Sequence, residues 1–309
     1  MAERSWVEIV AANVAAHGEI VVGIDPHLPD IPAVFEQGEA HWLPRYLDFV
    51  LDAVTGAAGF VKFQSAYFEA HGLAGLSALS AAMKRARALG LGVILDAKRG
   101  DIGSTAAAYA RAYLTPADAG GSGDFEADCL TINPMMGPDT LEPFVDCVRR
   151  HRKGLFVLCR TSNPGAGWLQ DRMSGNRFIS DHLADLIATV GRRCAPGSLS
   201  PVGAVIGATA PQEGRRLRQL LSNAIILAPG LGAQGADAAA LNALRGAQRG
   251  DLLVPVSRGL LRGEDRGISR DDYGLLIGRR LKQMTAAIAA PALAAAPSLA
   301  AAPSLAAAG

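Results

Sequence analysis

Four charged side chains crowd into six residues of this chain, Asp96-Ala97-Lys98-Arg99-Gly100-Asp101. They follow Leu91-Gly92-Val93-Ile94-Leu95, a short apolar, β-branched run that reads as a buried parallel strand. Residues two apart on a strand share a face, so Asp96 and Lys98 aim the same way, with Asp101 in the loop beyond. A carboxylate and an ammonium are costly to desolvate, and that cost is concentrated at working sites. The chemistry open to such a set is stabilisation of a developing negative charge and proton delivery from a fixed ammonium. Lys62, inside the apolar run Gly59-Phe60-Val61-Lys62-Phe63, is a second cation in an unusual buried setting.

These side chains need a scaffold, and the chain supplies a train of strands. Short apolar runs recur at Ile20–Asp25, Gly59–Phe63, Gly92–Asp96, Asp128–Ile132, Gly154–Arg160, Val202–Gly207, Ala224–Ala228 and Asp251–Val256, with Ala/Leu/Arg-rich helical stretches between them. Eight such runs alternating with helices predict a single-domain (β/α)8 TIM barrel over residues 1–284, with a doubly wound open sheet as the competitor. The run ends favour the barrel. Polar residues follow nearly every run: Asp25, Lys62, the Asp96/Lys98/Asp101 set, Asn133, Ser162, Thr209, Gln234 and Arg258. A barrel gathers them at one mouth, whereas an open sheet would spread them along an edge. Residues 285–309, with PSLAAA twice, read as a disordered or loosely helical Ala/Pro tail.

The last two runs point to an anion. Ala224–Ala228 leads into Pro229-Gly230-Leu231-Gly232-Ala233-Gln234-Gly235, and Val256-Ser257-Arg258-Gly259 ends the eighth run. Glycines let backbone N–H groups approach a phosphate, an arginine can hold it through two hydrogen bonds, and barrels often bind phosphate after strands seven and eight. Gly230-x-Gly232-x-x-Gly235 also matches a dinucleotide fingerprint, but that motif opens a first βαβ unit, and this one lies near the chain's end.

Composition narrows the rest. With 30 basic and 29 acidic residues the net charge is +1, which argues against a nucleic-acid groove or a membrane surface as the main partner. Six scattered histidines and four cysteines without metal-like spacing predict no metal site. Cys129 and Cys159 fall inside strand runs as inert core thiols, and Trp6, Trp42 and Trp168 read as packing. With no signal peptide and no long apolar span, the expected location is the reducing cytoplasm.

From Ile20 to Leu281 the chain resembles the orotidine 5'-phosphate decarboxylase family in its longer bacterial (type 2) form. VGIDPH, FVKFQSAYFE, LDAKRGDIGST, TINPMMG, RTSNPGAG, VIGATAP, APGLGAQG and VSRG carry the resemblance in the family's order. The resemblance implies a homodimer with shared active sites that removes CO2 from orotidine 5'-monophosphate to give UMP in pyrimidine biosynthesis, without cofactor or metal. It implies that Lys62, Asp96, Lys98 and Asp101 form an alternating charge array, with Lys98 donating the proton to pyrimidine C6. Asp101, Ile102 and Thr105 are implied to reach the neighbouring subunit's site. Asp25 and Lys62 match ribose contacts, Ser162 the pyrimidine-amide contact, and Gln234 and Arg258 the phosphate ligands. The alternative is a Mg²⁺-dependent sugar-phosphate decarboxylase or aldolase of the same superfamily. Those relatives carry a glutamate where this chain has Lys62, and a lysine there repels a divalent cation.

Overall fold

A computed structural model describes residues 4–36, 41–197, 199–231 and 238–289. Among the described residues there are ten strands: β1 (Ile20–Ile24), β2 (Phe60–Gln64), β3 (Gly92–Arg99), β4 (Cys129–Ile132), β5 (Gly154–Arg160), β6 (Met173–Ser174), β7 (Arg177–Phe178), β8 (Ser200–Ile206), β9 (Ala224–Leu227) and β10 (Leu252–Val256). Eight of them close into one parallel barrel in the order β1-β10-β9-β8-β5-β4-β3-β2, while β6 and β7 form a small antiparallel hairpin inside the β5–β8 connection. Each run expected from the sequence is a barrel strand, with small shifts at the ends. The largest shift is functional: β3 does not stop at Asp96 but continues to Arg99, so Asp96 and Lys98 both belong to the strand.

Both faces of a parallel barrel strand are covered, which is why these strands are continuously apolar rather than alternating. Outward side chains such as Val22, Val61, Val93, Leu95 and Leu130 pack under the surrounding helices. Inward ones form a second cluster, with Val21, Phe60, Ile94, Cys129, Phe156, Ile225 and Leu253 filling the lower barrel. The helix Trp6–His17, here α1, closes the bottom. Its N-terminus is held by a reciprocal capping box between Ser5 and Glu8, and its Trp6 ring meets Phe60 and Phe156 edge-on at 6.0 and 6.1 Å. Gly154 makes room for that indole, because a Cβ there would lie 2.3 Å from the ring.

The Cys129 and Cys159 thiols are buried, and burial pushes Cys159 up to about 12 and Cys129 well above its ordinary value. Trp168 departs from the sequence expectation. It is 76% exposed in the loop after β5, because a short 3-10 turn at Pro164–Trp168 carries it away from the core. The last helix, Arg270–Ile288, continues four residues into the segment read as tail, with Ile288 buried. Residues 290–309, the rest of that segment, lie outside the described residues.

Candidate functional site

One step of two residues along each strand turns the barrel's apolar filling into a polar floor. On β2, Phe60 is followed on the inner face by Lys62 and Gln64; on β3, Ile94 by Asp96 and Lys98; on β4, Cys129 by Thr131. Lys62, Gln64, Asp96, Lys98 and Thr131 line a cavity of about 440 Å³ at the carboxyl ends of the strands, with Asp25, Leu158, Ser162, Gly230 and Arg258 also on its wall.

The charges on the floor alternate. Lys62 Nζ lies 3.0 Å from Asp96 Oδ2 and 3.8 Å from Asp25 Oδ1, and Lys98 Nζ lies 2.7 Å from Asp96 Oδ1. Asp25-Lys62-Asp96-Lys98 is therefore a chain of opposite signs across three neighbouring strands. Lys62 and Asp96 are only 6% and 8% exposed, so each pays a desolvation cost. At an effective dielectric of about 20, one contact near 3 Å returns roughly 5 kcal/mol, comparable with that cost. The outcome appears in the acid–base behaviour. Burial alone would raise Asp96, but the ammoniums of Lys62 and Lys98, with hydrogen bonds from Lys98 and Thr131, hold it far below the usual carboxylate range. Burial alone would lower Lys62, and the Asp96 and Asp25 carboxylates outweigh it, so Lys62 rises above its ordinary value. Both groups are ionised at neutral pH.

Lys98 is held in an uncommon backbone conformation. Its φ is +48°, in the left-handed region that costs an L residue about 1–2 kcal/mol. The β3–β4 register shifts between Leu95 and Arg99, so the strand bulges at this point. The bulge aims the ammonium over Asp96 and within 3.4 Å of Gln64 Oε1. The side chain keeps 44% of its accessible surface, facing the cavity rather than the core.

The other expected residues fall into three groups. Asp25, Ser162 and Arg258 line the cavity, and Asp25 Oδ1 is buried without a hydrogen-bond partner. Arg258 opens a one-turn helix after β10 and shares the cavity wall with Gly230, whose φ of +120° only glycine adopts readily. Gln234 lies outside the described residues, as do Gly232 and Gly235. Asp101, Ile102 and Thr105 do not line the cavity within one chain. The Asp101 carboxylate instead accepts the Ile102 N–H at 2.8 Å, Ile102 is 59% exposed, and Thr105 is exposed. Sequence reasoning missed Gln64, Thr131, Thr161 and Asn163 on the cavity wall. For Gln64 and Thr131 the signal was available, since each lies two residues beyond a buried inner-face residue.

Among the described residues no helix is long and apolar enough to cross a membrane, and no cluster of His, Cys, Asp and Glu could hold a metal ion.

Residues 18–268 match the orotidine 5'-phosphate decarboxylase / HUMPS family. The chain is 41% identical over 246 residues to the orotidine 5'-phosphate decarboxylase of Rhodopirellula baltica, covering 77% of this chain and 81% of that one. It is 40% identical over 276 residues to the Roseiflexus castenholzii enzyme, covering 88% and 93%. The structure of Leishmania donovani OMP decarboxylase superposes with a TM-score of 0.69 at 29% identity, covering 92% of this chain and all of that one.

Proposed function

This chain belongs to the orotidine 5'-phosphate decarboxylase family, and on that premise we propose that the Lys98 ammonium protonates pyrimidine C6 as carbon dioxide leaves. The chain is a carboxy-lyase that converts orotidine 5'-monophosphate to UMP in pyrimidine biosynthesis. In the reaction the bond from C6 to the carboxyl carbon breaks and its electron pair stays on C6. The ring's π system delocalises that pair poorly, so the barrier is chiefly electrostatic. An ammonium already in place stabilises the pair as it forms, then transfers a proton to it. Lys98 is left neutral until solvent reprotonates it.

The observation that carries this reading is the 2.7 Å contact of Lys98 Nζ with Asp96 Oδ1, at the floor of an open cavity with Lys62 on the carboxylate's other side. Asp96 holds the Lys98 ammonium in place through this contact and lies beside the departing carboxylate. Asp25 and Lys62 bind the ribose hydroxyls, Ser162 the pyrimidine amide, and Gln234 and Arg258 the phosphate, as the family motifs imply. The phosphate reacts with nothing, yet its binding energy positions the ring. We assign the chain to the longer bacterial form, with a single barrel unit ending near residue 284, working in the cytoplasm.

Asp101, Ile102 and Thr105 serve the site of a second copy in a homodimer. Ile102, Met135 and Met136, all exposed on neighbouring β3 and β4 loops, supply apolar surface for that contact. No cofactor or metal enters the scheme. The carboxylates of Asp25 and Asp96 already face Lys62, whose charge repels a divalent cation. The test is the loss of orotidine monophosphate absorbance in EDTA-treated buffer. Turnover should persist there; dependence on added Mg²⁺ would overturn the metal-free scheme.

A further inference from the structure

We infer that Thr131 is a positioning residue for the decarboxylation, holding Lys98 through its own backbone and through Asp96 at once. Thr131 sits on β4, inner face, 1% exposed. Its Oγ1 accepts the backbone N–H of Lys98 at 2.9 Å and donates to Asp96 Oδ1 at 2.8 Å. That same Oδ1 accepts the Lys98 ammonium at 2.7 Å. Three hydrogen bonds thus close a ring from the Lys98 main chain, through one hydroxyl and one carboxylate oxygen, back to the Lys98 side chain.

The proton inventory allows only one arrangement. An amide N–H can only donate, an ionised carboxylate can only accept, and a hydroxyl does one of each. The ring meets the chain where Lys98 has φ +48° and the β3–β4 register slips. A lysine main chain does not hold that conformation by preference, so an external anchor is needed, and the hydroxyl is the side-chain group that bonds this N–H. Thr131 is the register partner of Phe156 and shares the cavity wall with Leu158 and Val205, apolar neighbours that do not call for a hydroxyl. Packing therefore does not explain a hydroxyl here.

The inference rests on Lys98 being the proton donor, and the experiment separates the two. Thr131→Val removes the hydroxyl at nearly constant shape, Thr131→Ser restores it, and Lys98→Ala is run beside them. Thr131→Val should lower kcat about tenfold to a hundredfold, as expected when a reacting group is displaced by a fraction of an ångström, with UMP affinity within about threefold of wild type. Thr131→Ser should recover kcat to within about threefold of wild type. An unchanged kcat in Thr131→Val overturns the inference, and so does a Ser variant as slow as the Val variant, or a parallel loss of UMP binding. Should the valine variant fail to fold, Thr131→Cys, a weak donor and acceptor of similar size, carries the same comparison. Full activity in Lys98→Ala would instead remove the reading on which the inference stands.

Discussion

Two clusters of four charges sit at opposite ends of the barrel. At the carboxyl ends are Asp25, Lys62, Asp96 and Lys98; at the amino ends are Arg87, Glu126, Asp128 and Lys153. Their contacts are alike. Lys153 reaches Glu126 at 2.7 Å, Arg87 reaches Glu126 at 2.9 Å and Asp128 at 3.7 Å, and Glu126 is held below its ordinary range: burial alone would raise it, but hydrogen bonds from Arg87 and Lys153 prevail. Lys153 is 3% exposed, even less than Lys62. What differs is what the charges face. The amino-end cluster closes on the backbone, with Asp128 accepting the Val93 N–H at 2.8 Å where β3 begins. The carboxyl-end cluster leaves one ammonium partly uncovered over a cavity. A buried, alternating charge array is therefore not by itself a catalytic signature. The array at the carboxyl ends differs in having one member turned toward an open volume.

The sharpest way to break this comparison is to remove one lysine from each end. Lys98→Ala should cost at least about 10⁴-fold in kcat, combining lost proton transfer and lost charge stabilisation, while circular dichroism and UMP binding stay close to wild type. Lys153→Ala should do the reverse. Breaking a buried pair destabilises by about 3–5 kcal/mol, with the low end expected because Arg87 still covers Glu126. Denaturant unfolding should report that loss, and kcat measured well below the melting temperature should stay within about twofold. A folded but inactive Lys153→Ala would sink the distinction.

Smaller effects sharpen it. Arg258→Ala touches neither cluster, yet binding energy from a remote phosphate can be used at the reacting carbon. It should lower kcat as well as raise KM, by about 10²-fold in kcat/KM; steady-state kinetics showing a rise in KM alone would confine Arg258 to capture. The smallest effect concerns pH, where the clusters should behave alike. Asp96 and Glu126 are both depressed in the folded chain, so their stabilisation is complete above about pH 4, where unfolded carboxylates ionise, and fades as pH falls further. Lys62 is raised, so its contribution is complete below about pH 10 and is lost only as pH climbs past its folded value. Melting temperatures should thus be insensitive to these groups between those limits and drop below pH 4. Glu126→Gln should flatten that acid fall without altering turnover at neutral pH.

Much of this was legible in the linear chain. Strand positions followed from apolar runs, and the polar residues that end them identified the rim, because inner and outer faces alternate every two residues regardless of what the strand packs against. That local rule made Lys62, Asp96 and Lys98 visible, and it would have exposed Gln64 and Thr131 had it been carried one step further along β2 and β4. Asp101 was harder. Two residues beyond the strand its direction no longer follows the pleat, and within one chain its carboxylate turns back onto the Ile102 amide. Trp168 was misread because nothing in its neighbours signals that a short 3-10 turn lifts the ring into solvent.

By itself, then, the sequence determined the number of barrel strands, which residues stand at their carboxyl ends and the alternation that turns Lys62, Asp96 and Lys98 inward. Only tertiary structure decided which charges meet. Lys62 lies opposite Ile94 in register yet bonds Asp96, Lys98 owes its aim to a bulge and a hydroxyl from the next strand, and the amino-end cluster joins residues up to 66 positions apart. Periodicity along a strand is a property of neighbouring backbone units. Contact across strands depends on barrel closure and register, which are set by the packing of the whole chain.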